Sequence, residues 1–125
     1  MKLTTREVYG AVIVDIEGQL VGGPNSGIFR RFVQNLLNKG MTRVIVNLRD
    51  VRWANSQGVG MLVGAQTRVK DAGGELVLVH VTDKIHSILT ITRLHLFFTT
   101  FDKENDAIHY LRERDVPSKT IQNVS

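Results

Sequence analysis

Runs rich in valine and isoleucine alternate along this chain with stretches of helical spacing, and that alternation constrains the fold more than any other feature. Ala11 to Glu17 puts Val12, Val14 and Ile16 on one strand face and Ile13 on the other. Arg43-Val-Ile-Val-Asn-Leu48 is a short β-branched run, the pattern of a strand buried on both faces. Glu75 to Val81 and Phe97 to Phe101 predict two more strands. The intervening segments read as helices. Ile28-Phe29, Phe32-Val33 and Leu36-Leu37 recur every four residues and build one apolar face. Asn25 or Ser26 can cap that helix, and Gly40 sits where it ends. Leu62, Ala65, Val69 and Ala72 mark a second helix, ended by Gly73-Gly74. Thr82 starts a third, with Ile85, Ile88 and Leu89 inward; Asp102 to Glu113 forms a fourth around Ile108 and Leu111. Leu3 to Tyr9 is a further strand, joined to the next at Gly10. That link is too short for a parallel crossover, so the first two strands form a hairpin. The rest pair in parallel through right-handed crossovers, which gives an α/β fold with a mixed sheet and about four helices.

At 125 residues the chain is one domain, expected over residues 1–115, with a flexible polar tail over residues 116–125 after Val116. It has no cysteine, which excludes a disulfide scaffold, thiolate metal binding and cysteine catalysis. No apolar run is long enough for a membrane span and no signal-peptide core opens the chain, so a cytoplasmic protein without a membrane partner is expected. The net charge is +4, but the basic residues are spread out and Arg30-Arg31 is their one adjacent pair. With one Trp, two Tyr and five Phe there is no basic-aromatic alternation for stacking on bases, so nucleic acid is not an expected partner.

Val51-Arg-Trp-Ala-Asn-Ser-Gln-Gly-Val-Gly-Met-Leu62 carries the most information. Arg49 to Gly60 reads as a polar connection from a buried strand into a glycine-rich helix start. Ser56 is placed to cap that helix, and Gly58, Gly60 and Gly64 to let it lie close to the sheet. Catalytic patterns fail on spacing. Ser56 lacks the first glycine of a nucleophile elbow, and Gly58-x-Gly60-x-x-x-Gly64 is one residue too long for a dinucleotide fingerprint. His80, His86, His95 and His109 do not form a metal pattern. Asp15 and Glu17 share a strand face and read as solvated, and Asp50 as a loop residue. No catalytic residue, metal or cofactor is expected, although the loop from Gly18 to Gly27 can line a pocket with the 53–58 segment.

The order of elements over about residues 5–113 resembles the STAS domain of bacterial anti-sigma factor antagonists. The resemblance rests on Glu17-Gly-Gln-Leu20, the 43–48 strand, Asn55-Ser-Gln-Gly-Val-Gly60, Gly73-Gly-Glu-Leu76, and Leu94 followed by Phe97-Phe98. The family's central pattern is Asp-Ser-Ser/Thr/Ala-Gly-Leu-Gly. This chain departs from the family at Asn55 for that Asp, at Val21 where Asp is frequent, at Arg93 where glycine is common, and with basic Arg49 and Arg52 in the approach loop. The resemblance implies a partner switch rather than an enzyme. Ser56 matches the serine phosphorylated by an anti-sigma factor that is also a serine kinase of the histidine-kinase-like ATPase class. Val21, Gly22, Asn55, Ser56, Gln57, Gly58 and Gly60 would form the partner-binding surface. Unmodified, the protein would bind the anti-sigma factor; phosphorylated, it would release it. The alternative is a STAS scaffold module of a stress-signalling or transporter complex that is not phosphorylated. The edge strand at residues 3–9 can also pair two copies into a weak homodimer.

Overall fold

In the computed structural model the backbone is described for residues 1–124 and the side chains for residues 1–114. β1 (Lys2–Val8) and β2 (Ala11–Leu20) form an antiparallel hairpin in which Val8 faces Ala11. The connecting Tyr9 and Gly10 both have left-handed backbone, with φ of 51° and 82°. That two-residue turn matches the twist of paired strands. α1 (Pro24–Asn38), β3 (Arg43–Ala54), α2 (Ser56–Asp71), β4 (Glu75–Val79), α3 (Asp83–Ile91), a 3-10 turn (Leu94–Leu96), β5 (Thr100–Phe101) and α4 (Glu104–Val124) follow. The sheet order is β1-β2-β3-β4-β5, with every pair after the first parallel.

This order decides the layers. The chain steps across the sheet in one direction, and right-handed crossovers then put α1, α2 and α3 on the same face. Phe29, Val33, Leu62, Val69, Ile85 and Leu89 fill the core there against Val14, Val46 and Leu78. The opposite face is left for α4, whose Ala107, Ile108 and Leu111 cover Ile13, Ile45 and Val77. β2, β3 and β4 are therefore buried on both sides, as their continuous apolar runs require.

Several local expectations change. β3 does not end at Leu48: it continues through Ala54, because β2 is long enough to pair with it to Leu20. Shifts in register between Asp15 and Glu17 and between Gly18 and Gln19 absorb the twist, and Asp50 is a strand residue. β5 has two residues rather than five; the Leu94–Leu96 turn precedes it and Phe98 turns into the core. α1 begins at Pro24, with Gly23 as its cap residue, so neither Asn25 nor Ser26 caps it; Asn25 Nδ2 instead donates to the Val21 carbonyl at 3.4 Å. Its end is as expected: Gly40 N–H donates to the Leu37 carbonyl and Met41 N–H to that of Leu36, at 2.9 and 3.0 Å. Ala72 is an exposed cap, not a core residue. α4 starts two residues late and runs beyond Glu113, while the expected tail at 116–125 lies outside the residues described with side chains.

Two polar anchors hold the layers in register. Gln66 on α2 is 1% exposed, and its Oε1 accepts from Leu76 N–H at 2.9 Å. β5 pairs only with Leu78 and Val79, so the side chain serves the β4 amide that the short edge strand cannot reach. Asp15 is not simply solvated. Arg6 donates to both its oxygens at 2.7 and 2.8 Å and to both oxygens of Glu104 at 3.1 and 2.8 Å, and Asn47 Nδ2 donates to Asp15 at 2.8 Å. One guanidinium thus ties the hairpin to the first turn of α4. These hydrogen bonds hold the Asp15 and Glu104 carboxyls below their ordinary values.

Arg6→Met should lower stability by roughly 1 kcal/mol at neutral pH, since forked carboxylate bonds are stronger than an ordinary surface pair. A carboxylate with a depressed folded-state pKa stabilises above its ordinary value and loses that contribution as pH falls through the folded one. The gap between wild type and variant in urea unfolding should therefore be full above pH 4.5, the ordinary value for Glu104, and close on further acidification. Gln66→Leu should cost about 1–3 kcal/mol by orphaning a buried amide, at every pH.

Candidate functional site

The candidate site lies where β2 and β3 end side by side, at the Leu20–Ala54 pair. Asn55 keeps an extended backbone and its N–H donates to the Leu20 carbonyl at 3.3 Å. Its side-chain Oδ1 accepts from Gly58 N–H at 2.8 Å, and its carbonyl accepts the first helical bond, from Val59 N–H at 3.0 Å. Asn55 is therefore the cap of α2, and the expectation that Ser56 caps it is corrected. Asn and Asp perform this role equally well, so the cap survives the replacement of the family's Asp.

That correction has a chemical consequence. Ser56 is the first helical residue and is exposed, and no described residue holds its hydroxyl. The Ser56 and Gln57 amides precede the first helical bond and are orphan donors of the helix start. An anion on the Ser56 oxygen would meet those donors and the positive end of the helix dipole without disturbing the core.

The surroundings are set by two close approaches. Gly58 is buried, and a Cβ there would lie 1.7 Å from the Leu20 carbonyl oxygen. A Cβ on Gly22 would lie 2.7 Å from Gln57 Oε1. The Val21–Gly22 backbone, half-buried, thus lies against the first turn of α2. Gly60 and Gly64 do not serve the sheet as expected: both are exposed, and a Cβ on either would meet no atom within 4 Å. The structure brings together Val21, Gly22, Asn55, Ser56, Gln57 and Gly58, with Gly60 one turn further along α2. It adds Trp53, 55% exposed, whose ring lies 5.2 Å from Lys84 Nζ on α3. Arg93 stands apart, leading the Leu94–Leu96 turn in left-handed conformation at φ 61°.

Sequence reasoning missed a groove of about 320 Å³ between α1 and α2, lined by Arg30, Arg68 and Gln57 among others. A signal was present: from Gly18 to Lys70 the chain holds eight Lys/Arg and one acid, Asp50. Among the described residues no group of three His, Asp or Glu could hold a metal, and no helix is long and apolar enough to cross a membrane. His80 directly follows β4, with Arg49 3.0 Å away, and His109 pairs with Glu113 on α4 at 2.9 Å.

Comparison with known proteins agrees with the fold. The STAS domain family model matches residues 2–107. A Thermotoga maritima protein named as an anti-sigma factor antagonist is 26% identical over 91 residues, covering 72% of this chain and 80% of the relative. The crystal structure of an anti-sigma factor antagonist from Thermotoga maritima superposes with a TM-score of 0.79 at 24% identity, over 88% of this chain and 94% of that one. SpoIIAA of Bacillus in its phosphorylated form gives 0.67 at 17% identity, over 87% and 98%.

Asn55→Ala should cost about 1 kcal/mol in urea unfolding, and Asn55→Asp close to nothing. Gly58→Ala should cost more than Asn55→Ala, since the Leu20 backbone must move; overpacking of this kind costs roughly 1–3 kcal/mol. A smaller loss at Gly58 than at Asn55 would contradict the close approach.

Proposed function

The chain belongs to the STAS domain family, and on that premise we propose that it is an anti-sigma factor antagonist, a binding protein rather than an enzyme, switched by phosphorylation of Ser56. The observation that carries this reading is the exposed Ser56 hydroxyl, held by no described residue, on the first turn of a helix that its neighbour caps. Its partner is an anti-sigma factor that is also a serine kinase of the histidine-kinase-like ATPase class, and its place of work is the cytoplasm. Val21, Gly22, Asn55, Gln57 and Gly60 surround the hydroxyl and form the contact surface, with the buried Gly58 beneath it. Gly58 lets the Val21–Gly22 backbone lie against α2, and the exposed Gly60 adds no side chain to the surface, which suits a closely approaching partner. SpoIIAA, which shares the fold, has been solved in unphosphorylated and phosphorylated forms.

The physics of the switch follows from position. A phosphoserine brings close to two negative charges and three acceptor oxygens. At a helix start the folded chain accommodates them, while a covering partner surface must desolvate them. A loss of roughly 3–4 kcal/mol at the interface weakens binding by roughly 10² to 10³. The open edge of β1 permits a weak homodimer that leaves this face free.

Incubation with the partner kinase and Mg-ATP should add one phosphate, mapped to Ser56 by mass spectrometry and absent from Ser56→Ala. In a pull-down Ser56→Ala should stay bound, while Ser56→Asp should release the partner with an unchanged melting temperature. Equal binding by all three proteins would instead favour the unphosphorylated scaffold reading, to which the missing carboxylate at Asn55 lends support.

A further inference from the structure

The groove between α1 and α2 combines an apolar floor with unpaired positive charge. Phe29, Val33 and Ala65 form its buried base, Met61 is half-buried beside them, and Arg30 and Arg68 stand at its walls. Among the described residues neither arginine has a carboxylate partner. Gly60 and Gly64 put no side chain into the groove, so the trough that the arginines line is open. α1 has no acidic residue and α2 has none before Asp71 at its far end, so both helix starts present their positive ends uncompensated. Both helices follow parallel strands, which puts those ends on the same edge of the sheet as Ser56.

We propose that this groove seats an acidic segment of the partner protein that carries an apolar side chain into the trough and carboxylates to Arg30 and Arg68. The inference deepens the reading of this face as a protein-binding surface and rests on it. A neutral apolar segment would desolvate two guanidiniums without partners, and a basic one would be repelled. Carboxylates match the planar fork of arginine and anchor the segment in register. A nucleic acid strand needs a longer basic track and exposed rings to stack on, whereas the ring in this groove, Phe29, is buried. Gln57 lines the groove and follows Ser56 directly, so a phosphate on Ser56 is carried near that end of it. There the phosphate repels the partner's carboxylates, which gives the release step an electrostatic cause.

Panning a displayed library of random dodecamer peptides against the intact unmodified protein tests this. Enriched peptides should combine Asp or Glu with a large apolar residue. By fluorescence anisotropy their Kd should rise at least roughly tenfold in Arg30→Glu/Arg68→Glu, less in Arg30→Gln/Arg68→Gln, and not at all in Lys2→Glu on the far hairpin. It should also rise with added salt. Unchanged melting temperatures would show that the variants fold. Enrichment of peptides without excess acid, no enrichment, or binding indifferent to the arginines would overturn the proposal. So would loss, in the same double variant, of binding to phosphatidylglycerol vesicles or to a DNA duplex while peptides fail to bind, since the face would then serve a lipid or a nucleic acid. The phosphoswitch fails separately: acidic peptides would still bind although the kinase leaves Ser56 unmodified.

Discussion

The contact between Gly58 and the Leu20 carbonyl is the constraint on which the site depends. A helix that follows a parallel strand must turn back over the sheet within a few residues, and here it does so against the end of the neighbouring strand. A side chain at position 58 would occupy the space of that carbonyl. With glycine there, the Asn55 cap, the Leu20–Ala54 pair and the Val21–Gly22 bend close around one another. Ser56 is outside this knot but is carried by it. Its backbone is therefore fixed while no described residue engages its hydroxyl, a combination that a mobile loop would not supply.

Electrostatics divide the molecule in the same way as its layers. The three crossover helices occupy one face, and the two that flank the site come from the part of the chain nearly empty of acids. The other face holds paired charge: Arg6 between Asp15 and Glu104, and Glu75 with Tyr110 and Arg114. Paired charges secure the fold; unpaired ones are available to another molecule. A modest net charge concealed this division, because acids on the far side offset bases on the near side.

Some expectations failed for a common reason. Ser56 and Asn55 are both good caps, and only the backbone path decides which residue keeps an extended conformation before the helix. Arg49 to Ala54 looked like a loop because its charged residues are exposed, yet β2 reaches far enough to pair with it. The strand expected at Phe97 to Phe101 shrank because Phe98 packs into the core instead of alternating along an edge. Each of these choices depends on a partner distant in sequence, which a local pattern does not contain.

The periodicities of the chain by themselves determined the order of elements, the hairpin at Gly10, the parallel remainder of the sheet and the helix stops at Gly40 and Gly73-Gly74, because each follows from local sterics or from the handedness of crossovers. The segment around residues 55–60 was likewise recognisable from residue types and spacing. The tertiary structure alone decided that Ser56 is released from capping, that Gly58 and not Gly60 or Gly64 takes the close approach, and that Arg30 and Arg68 flank one groove. Those outcomes rest on which atoms meet across two strand ends and two helices, and such meetings are set by packing in three dimensions.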